Sequence, residues 1–317
     1  MKFGLHNASF LPTTGKAKDV WPELRERAQW MEESGFEYLS VMDHLWQNRG
    51  VGAEDEPFME GWMTLAAVAS ATEKLKLTTM VTSVGYRNPA LVVKMVTTLD
   101  LISGGRAILG LGGGWFQAEY EGYGYNRVQE WPTPATRLRK LREAVKIAKA
   151  LWQEPRATYE GRYFSINNAI LEPKPLQKPR PRILIGGGGE QMTLRIVAEE
   201  ADMCNFSGAG PQGFARKLDV LRRHCQEAGR DLAEIEVTTF ERPILASTPE
   251  RVEEKWRQSG SPVREGYRGL MGTPDQVVQQ IQAFERAGVQ TLFLMIPNDD
   301  SECRQLLARE VIPAFKE

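Results

Sequence analysis

The chain has 317 residues, of which 42% are hydrophobic, and its 40 Lys and Arg side chains balance 41 Asp and Glu side chains to a formal net charge of -1. This length accommodates one barrel or two ordinary domains. A balanced charge gives no global field that would attract nucleic acid or an anionic membrane, so we expect a small-molecule partner.

Short apolar or β-branched runs recur along the chain, and longer segments of helical periodicity separate them. The eight runs are residues 3–7, 38–42, 75–82, 107–112, 182–186, 202–206, 235–240 and 291–296. A strand followed by a helix, repeated eight times, predicts an α/β fold of the (β/α)8 TIM-barrel type, with an open doubly wound sheet as the alternative. We expect residues 1–317 to form one domain.

Helix starts are marked by a capping side chain followed by proline, a pair that satisfies the first amides and presets the backbone for a helix. The four pairs are Asn88-Pro89, Thr133-Pro134, Thr248-Pro249 and Thr273-Pro274. Each pair precedes an apolar-periodic run, so each predicts the start of a helix.

Two stretches interrupt the alternation of strands and helices, at about residues 158–181 and 246–272. The first contains a Tyr-Glu-Gly-Arg-Tyr-Phe run and then several prolines, which predicts a surface hairpin and a braced connector. The second is polar and rich in glycine, a pattern typical of either a mobile lid over a site or a plain solvated loop. We expect both stretches to be insertions within the one domain.

The second predicted strand ends in the polar pair Asp43-His44. The active site of such a barrel lies where strands end and βα loops begin, so a carboxylate and an imidazole at this position indicate proton chemistry. The alternative is structural, with Asp43 capping the following turn and His44 donating to a backbone carbonyl.

The third and fourth strand ends are rich in small residues. Residues 78–89 are small and hydroxylated where a flat ring could pack, although Thr and Val are also ordinary strand residues. The glycines within residues 110–114 would let a ligand approach the backbone closely. Trp115 and Phe116 follow as aromatic walls, and Glu119 is placed to orient a loop or a ligand. A tight turn with core aromatics is the alternative.

The fifth strand end carries the most informative signal. Ile183-Leu184-Ile185 continues through four glycines, Gly186 to Gly189, into a helix predicted to start near Glu190. Amides at a helix N-terminus bind anions, and glycines leave a phosphate room to reach them. The run lacks both a Walker lysine and the GxGxxG spacing, so it favours neither a nucleotidase nor an NAD site. Asn205 to Gly208, at the sixth strand end, is a minor polar contributor.

Three cysteines, Cys204, Cys225 and Cys303, are far apart in sequence, unlike zinc sites or disulfide frameworks. We therefore predict no metal and a reducing, cytoplasmic environment. Cys204 has no basic neighbour and is interpreted as a core residue. The chain starts without the pattern of a signal peptide, and no window approaches the ~18 to 20 apolar residues of a membrane-spanning helix.

Together these motifs resemble the bacterial luciferase-like superfamily. They are Ser83 to Pro89, Gly110 to Trp115 with Glu119-Tyr120 and Gly124, Pro181 to Glu190, and Gly272 to Asp275. The resemblance covers nearly the whole chain. Within the superfamily the chain is most similar to the deazaflavin-dependent oxidoreductases, which use coenzyme F420, and less similar to the flavin mononucleotide (FMN) monooxygenases.

The resemblance implies a barrel with an insertion after the fourth helix and a deazaflavin ring in its mouth, with hydride transfer at carbon 5 of that ring. Thr79-Met80 matches the place where this family often has a non-prolyl cis peptide behind the ring. The implied cofactor contacts are Asp43, Thr79, Met80, Val81, Gly113, Gly114, Trp115, Gly186, Gly187, Gly188, Gly189 and Glu190. Phe116 departs from the family, because many relatives have a polar residue there.

Hydride transfer to or from an alcohol, carbonyl, activated alkene or imine also requires movement of a proton. His44 is the best-placed general acid or base, with Glu119 or Asp43 in support. The alternatives are an FMN-dependent monooxygenase and, in another class, a cofactor-binding barrel without catalysis.

The remaining expectations concern the ligands and the assembly. The oligoglutamate tail of F420 favours basic residues near the mouth, for which the candidates are Arg195, Arg242, Arg264 and Arg268. An apolar or planar substrate cavity is suggested by Trp46, Trp62, Trp115 and Phe116. Relatives commonly form dimers, so the resemblance implies a homodimer.

Overall fold

The computed structural model describes residues 1–207, 210–259 and 269–316. In chain order the strands are β1 (Lys2–Asn7), β2 (Tyr38–Val41), β3 (Lys76–Thr79), β4 (Thr82–Ser83), β5 (Ala107–Gly112), β6 (Ala157–Glu160), β7 (Ser165–Ala169), β8 (Arg182–Gly186), β9 (Met203–Asn205), β10 (Glu236–Glu241), β11 (Ile244–Leu245), β12 (Met271–Gly272) and β13 (Thr291–Leu294).

The α-helices alternate with the main strands. They are α1 (Val20–Ser34), α2 (Gly61–Ala71), α3 (Pro89–Ile102), α4 (Gln117–Gly122), α5 (Pro134–Gln153), α6 (Thr193–Glu200), α7 (Pro211–Glu227), α8 (Pro249–Gln258), α9 (Pro274–Arg286) and α10 (Ser301–Leu306).

Eight parallel strands form a closed barrel in the order β3-β2-β1-β13-β10-β9-β8-β5, and β5 pairs back onto β3. The predicted (β/α)8 fold is therefore confirmed, and each of the eight predicted runs overlaps one barrel strand, to within one residue at either end of β1 and β10. The third run is divided, because β3 ends at Thr79 and the short β4 pairs separately with the end of β5. The divided strand brings residues 80–81 to the barrel mouth.

The core has two layers on the two faces of the barrel wall. Tyr38, Ile108, Leu184, Met203 and Phe293 are buried together inside the barrel. A much larger apolar cluster fills the space between the strands and the surrounding helices. Side chains alternate across a strand, so the wall supplies both layers and leaves the strand ends for function.

The predicted helix starts are confirmed at all four positions. The side chains of Asn88, Thr133 and Thr248 accept hydrogen bonds from amides in the first turns of α3, α5 and α8. Thr273 forms a capping box with Gln276 at the start of α9. Local capping chemistry thus sets these boundaries.

The first predicted insertion contains the expected hairpin, in which β6 and β7 pair antiparallel, followed by a connector with cis bonds before Pro173 and Pro179. In the second, α8 and the strand β12 replace part of the expected loop, and β12 pairs in parallel with β11, which lies just before the stretch. Of the four glycines that suggested a lid in this stretch, Gly260 and Gly266 lie outside the described residues, and Gly269 and Gly272 are described.

The described helices include none that is long and apolar enough to cross a membrane. Cys204, Cys225 and Cys303 are buried, and none of them forms a disulfide. Burial raises the pKa of the Cys204 thiol to about 12, so this thiol stays protonated, in keeping with a core residue.

Candidate active site

A cavity of about 600 Å³ opens at the carboxyl ends of the barrel strands. All five strand ends singled out in the sequence contribute to its lining. In chain order, the lining residues from these strand ends are Asp43 and His44; Met80, Val81 and Ser83; Gly112 to Trp115; Gly186 to Gly189; and Asn205 to Ser207. Gly208, also expected here, lies outside the described residues.

His44 is paired with a carboxylate that lies 75 residues further along the chain. Its Nδ1 atom is 2.9 Å from Oε2 of Glu119, on the first turn of α4. Glu119 is fully buried, whereas His44 lines the cavity. A buried carboxylate accepts the Nδ1 proton, so the Nε2 atom of His44 is the one left to face a ligand.

Glu119 is held in place by three further donors. The Tyr86 hydroxyl donates to Oε2 at 2.6 Å, and the backbone amides of Leu45 and Trp46 donate to Oε1 at 2.7 and 3.3 Å. Burial, and then the hydrogen bond to Glu119, raise the pKa of the Tyr86 phenol, so Tyr86 remains a donor. Together with the His44 imidazole, these donors engage both carboxyl oxygens of Glu119.

Asp43 lines the cavity but its carboxylate is fully engaged. Arg87 contacts both oxygens, at 2.7 and 2.8 Å, and the Thr82 hydroxyl donates to Oδ2 at 2.6 Å. Burial opposes the charge on Arg87, but Asp43 and Glu60 outweigh it and raise the pKa of the guanidinium. The geometry therefore favours a role for Asp43 in positioning the mouth over one in accepting protons.

The non-prolyl cis peptide lies between Met80 and Val81, one residue later than the resemblance implied. Met80 and Val81 line the cavity. Thr79 is buried behind them and bonds to the Gly110 carbonyl. Thr79 lies outside the cavity lining, so its implied contact with a cofactor stays a prediction.

The four-glycine run forms one wall of the cavity, and we call residues 186–189 the glycine loop. The helix after it starts at Thr193, three residues later than expected, and Glu190 is exposed and outside the cavity lining. Lys217, on α7, donates from Nζ to the Gly188 carbonyl at 2.6 Å. The loop therefore combines close backbone approach with a nearby positive charge, which suits a phosphate.

The lining fits a flat, phosphate-bearing cofactor of the flavin type. A Cβ atom at Gly112 or Gly186 would come within 2.5 or 2.8 Å of the Val81 side chain, and one at Gly114 within 2.2 Å of Ser83 Oγ. A side chain at any of these three positions would clash with Val81 or Ser83, so glycine lets the backbone form this part of the cavity wall. Within the described part of the chain, no group of three or more His, Cys, Asp or Glu side chains could hold a metal ion.

Aromatic side chains pack against one side of the His44 imidazole. The rings of Trp115 and Phe116 lie 5.5 and 5.7 Å from the imidazole, and Phe116 also packs against Trp46. Trp62 is buried and donates to Thr82, so it belongs to the core and not to the cavity. Of the four predicted aromatic residues, only Trp115 lines the cavity.

Several site residues are absent from the sequence prediction. They are His6, Tyr86, Arg137 and Lys217. Arg137 donates to the Gly114 carbonyl at 2.9 Å and thereby holds the loop after β5. His6 lies near the end of β1, so the same search of strand ends would have found it. The other three come from loops and helices whose docking has no local sequence signal.

His6 provides a prediction for the pH dependence of stability. Burial, and then the nearby His44, lower the pKa of His6 from its ordinary value of 6.5 to about 4. The unfolded chain therefore binds this proton first, and the free energy of unfolding falls as the pH falls from about 6.5 to about 4. Above that window the contribution is fully present.

Between pH 7 and pH 4.5, the free energy of unfolding should fall by about 2 to 3 kcal/mol less in His6→Asn than in the wild-type protein. Urea unfolding at several pH values measures the difference. His224→Asn, which changes a histidine outside the cavity, is the matched control. An acid dependence unchanged by His6→Asn would contradict a neutral, buried His6.

Three comparisons place this architecture among known proteins. The sequence profile of the family described as luciferase-like monooxygenase matches residues 1–269. An FMNH(2)-dependent dimethylsulfone monooxygenase of Pseudomonas putida is 27% identical, over 92% of this chain and 87% of its own length. An F420-dependent glucose-6-phosphate dehydrogenase of Rhodococcus erythropolis is 28% identical, over 93% of this chain and 94% of its own length.

The fold is also similar to that of solved structures. An F420-dependent secondary alcohol dehydrogenase, in complex with an F420-acetone adduct, superposes with a TM-score of 0.82 over 100% of this chain and 99% of the other. The sequences are 20% identical, so the likeness shows a shared fold alone. The relatives named here are oxidoreductases and monooxygenases.

Proposed function

Because this chain belongs to the luciferase-like monooxygenase family, as the resemblance predicted, we propose that it is an F420-dependent oxidoreductase. The reaction would move a hydride between carbon 5 of the deazaflavin and a small organic substrate, an alcohol or carbonyl compound or an activated alkene or imine. The observation that carries this proposal is the His44–Glu119 pair at 2.9 Å, with the imidazole in the cavity lining.

The pair supplies the proton movement that must accompany hydride transfer. With Nδ1–H donated to Glu119, the Nε2 atom of His44 carries a lone pair and accepts the hydroxyl proton when an alcohol is oxidised. Glu119 then faces a charged imidazole and stabilises it. In the reverse direction Nε2 returns the proton to the carbonyl oxygen.

The chain's own residues would hold the cofactor at two ends. Backbone amides of the glycine loop and the Lys217 ammonium would bind the phosphate, and Met80, Val81 and Gly112 to Gly114 would border the ring and its ribityl chain. When bound, F420 supplies a two-electron hydride carrier. Trp115 and Phe116 beside His44 would keep water from the proton-transfer site.

The substrate has a contiguous space next to the cofactor cavity. A neighbouring cavity of about 310 Å³ shares Gly50, Val51 and Met295 with it. Ser9, Thr13 and Asn298 are polar residues on its wall. We propose that the substrate enters through this space, since it reaches the mouth from the β1 and β13 side.

An FMN-dependent monooxygenase is the second candidate, and the Pseudomonas putida relative favours it. The glycine loop and Lys217 suit the phosphate of either cofactor, because both carry a phosphate on a ribityl chain. A non-catalytic barrel is a weaker candidate, because it would have no need for a buried Glu119 aimed at a cavity histidine.

Titration of cofactor-free protein with oxidised F420 and, separately, with FMN tests the proposal through quenching of cofactor fluorescence. Binding of F420 with clear preference over FMN supports hydride transfer and is followed by a screen of alcohols and carbonyl compounds. Preference for FMN would replace the proposal by the monooxygenase, and binding of neither would favour the non-catalytic barrel.

We also propose that the protein forms a homodimer through the adjacent helices α2 and α3. Met63 and Leu91, near the N-terminal ends of these helices, have 72% and 55% of their surface exposed. Because α2 and α3 pack against each other, the same face of a second copy would remove both apolar side chains from water. We expect light scattering to give twice the mass of one chain for the wild-type protein. The double variant Met63→Glu with Leu91→Glu should give the mass of one chain. A monomeric wild-type protein would contradict the dimer.

A further inference from the structure

A separate cavity of about 390 Å³ lies on the outer surface, between α5, the β6–β7 hairpin and the start of α6. Its lining contains five cationic side chains, and we call it the basic groove. They are Arg139, Arg142, Lys146, Arg162 and Arg195. Among the described residues that line the groove, Glu143 is the single carboxylate.

The nearby carboxylates do not neutralise this charge. Glu143 accepts the backbone amides of residues 162–164, each at 2.9 Å, and so is committed to the hairpin turn. Glu199, just outside the groove, pairs with Arg142 at 2.7 Å and Arg195 at 3.0 Å. One carboxylate therefore serves two of the five cations.

The other cations remain available to a ligand. Arg139 and Lys146 are exposed, and within the described ranges neither forms an ion pair. The Nε atom of Arg142 is buried and has no hydrogen-bond partner among the described residues. Positions 139, 142 and 146 follow helical spacing, so these three cations lie along one face of α5. Arg139 and Lys146 are thus free to pair with an anionic ligand, and Arg142 lies between them with its Nε–H unused.

The basic groove begins where the cofactor cavity ends. Leu138 lines both spaces. Gly189 lines the cofactor cavity, and Gln191, only two residues later, lines the groove. An anionic chain that leaves a phosphate at the glycine loop would therefore enter the groove directly.

We propose that the basic groove binds the oligoglutamate tail of F420, with the tail carboxylates pairing with Arg139, Lys146 and Arg162. This inference rests on the proposed use of F420. FMN ends at its phosphate and has no group that would reach the groove. The groove is thus a feature that distinguishes the two cofactors, and it includes Arg195 of the four basic residues suggested by the sequence. Arg242 instead lines the neighbouring cavity of about 310 Å³, and Arg264 and Arg268 lie outside the described residues.

The test compares two deazaflavins, F420 with a tail of several glutamates and the same phospholactyl deazaflavin without glutamates, by fluorescence quenching. We expect wild-type protein to bind the tailed form more tightly. Arg139→Gln with Lys146→Gln should raise the dissociation constant of the tailed form by about 2- to 30-fold, the range for two exposed ion pairs, and leave that of the tail-less form within about twofold.

Lys18→Gln with Arg25→Gln is the matched control, because it removes two exposed cations, one just before α1 and one on α1, on another side of the barrel. Added KCl provides a readout without any variant and should weaken binding of the tailed form more than that of the tail-less form. Equal affinity of both forms for wild-type protein, or an equal response of both to the groove variant, would overturn the groove assignment while F420 use stands. Binding of FMN with no binding of either deazaflavin would instead overturn the proposed function and the groove with it.

Discussion

His44→Ala is expected to lower kcat by about 10²- to 10⁴-fold, the range that a positioned acid or base contributes. The dissociation constant for F420 should stay within about twofold, because the phosphate contacts lie at the glycine loop and Lys217 and not at His44. Steady-state kinetics and fluorescence titration on the same preparation measure the two quantities.

Glu119→Gln tests the role of Glu119 as a positioning residue, because it leaves the His44 imidazole itself in place. Glutamine keeps the volume and an acceptor for Leu45 and Trp46 but loses the charge that faces His44. We expect kcat to fall by about tenfold or more while the dissociation constant for F420 stays within about twofold, since the neutral amide no longer holds and stabilises the imidazole that moves the proton. A purely structural Glu119 would lower stability and leave the kcat of the folded protein unchanged.

Tyr86→Phe is the conservative control for this network, because it removes one hydrogen bond to Glu119 and retains the ring. A smaller loss of kcat than in Glu119→Gln is expected.

If His44→Ala left turnover unchanged, His44 would have no part in the mechanism, and the His44–Glu119 pair would be only a buried hydrogen bond at the mouth.

Gly110→Ala is expected to lower the free energy of unfolding by about 3 kcal/mol or more, at the upper end of the cost of overpacking. A Cβ atom at Gly110 would lie 1.9 Å from the Thr79 carbonyl oxygen and 2.8 Å from Thr78 Oγ1. The contact is with backbone, so it cannot be relieved by a rotamer change. It falls where β5 pairs with β3 and closes the barrel.

Gly85→Ala is the matched control, because a Cβ atom there meets nothing nearer than 3.5 Å and the φ angle is not positive. It should change stability by less than about 1 kcal/mol. Chemical denaturation of both variants measures the difference. Equal stability of the two would show that β3 and β5 can separate without cost, contrary to a closed barrel.

Much of the candidate site was predictable because its signals are local. The pair Asp43-His44, the glycines after β5 and the glycine loop all lie at strand ends, and a parallel barrel gathers every strand end at one mouth. The errors are equally local. The cis peptide lies one residue later than expected, and the helix after the glycine loop starts at Thr193, because small shifts at element ends carry no periodic signal.

The eight β/α steps, the capped helix starts and the glycine loop could all be predicted from the amino-acid sequence, because periodicity, caps and glycines act within a few residues of each other. Four contacts were visible only in the folded chain: Glu119 with His44, Arg87 with Asp43, Lys217 with the glycine loop, and the basic groove with the end of that loop. These contacts join residues on different helices and loops. Their geometry depends on how those elements dock around the barrel, which no local pattern encodes.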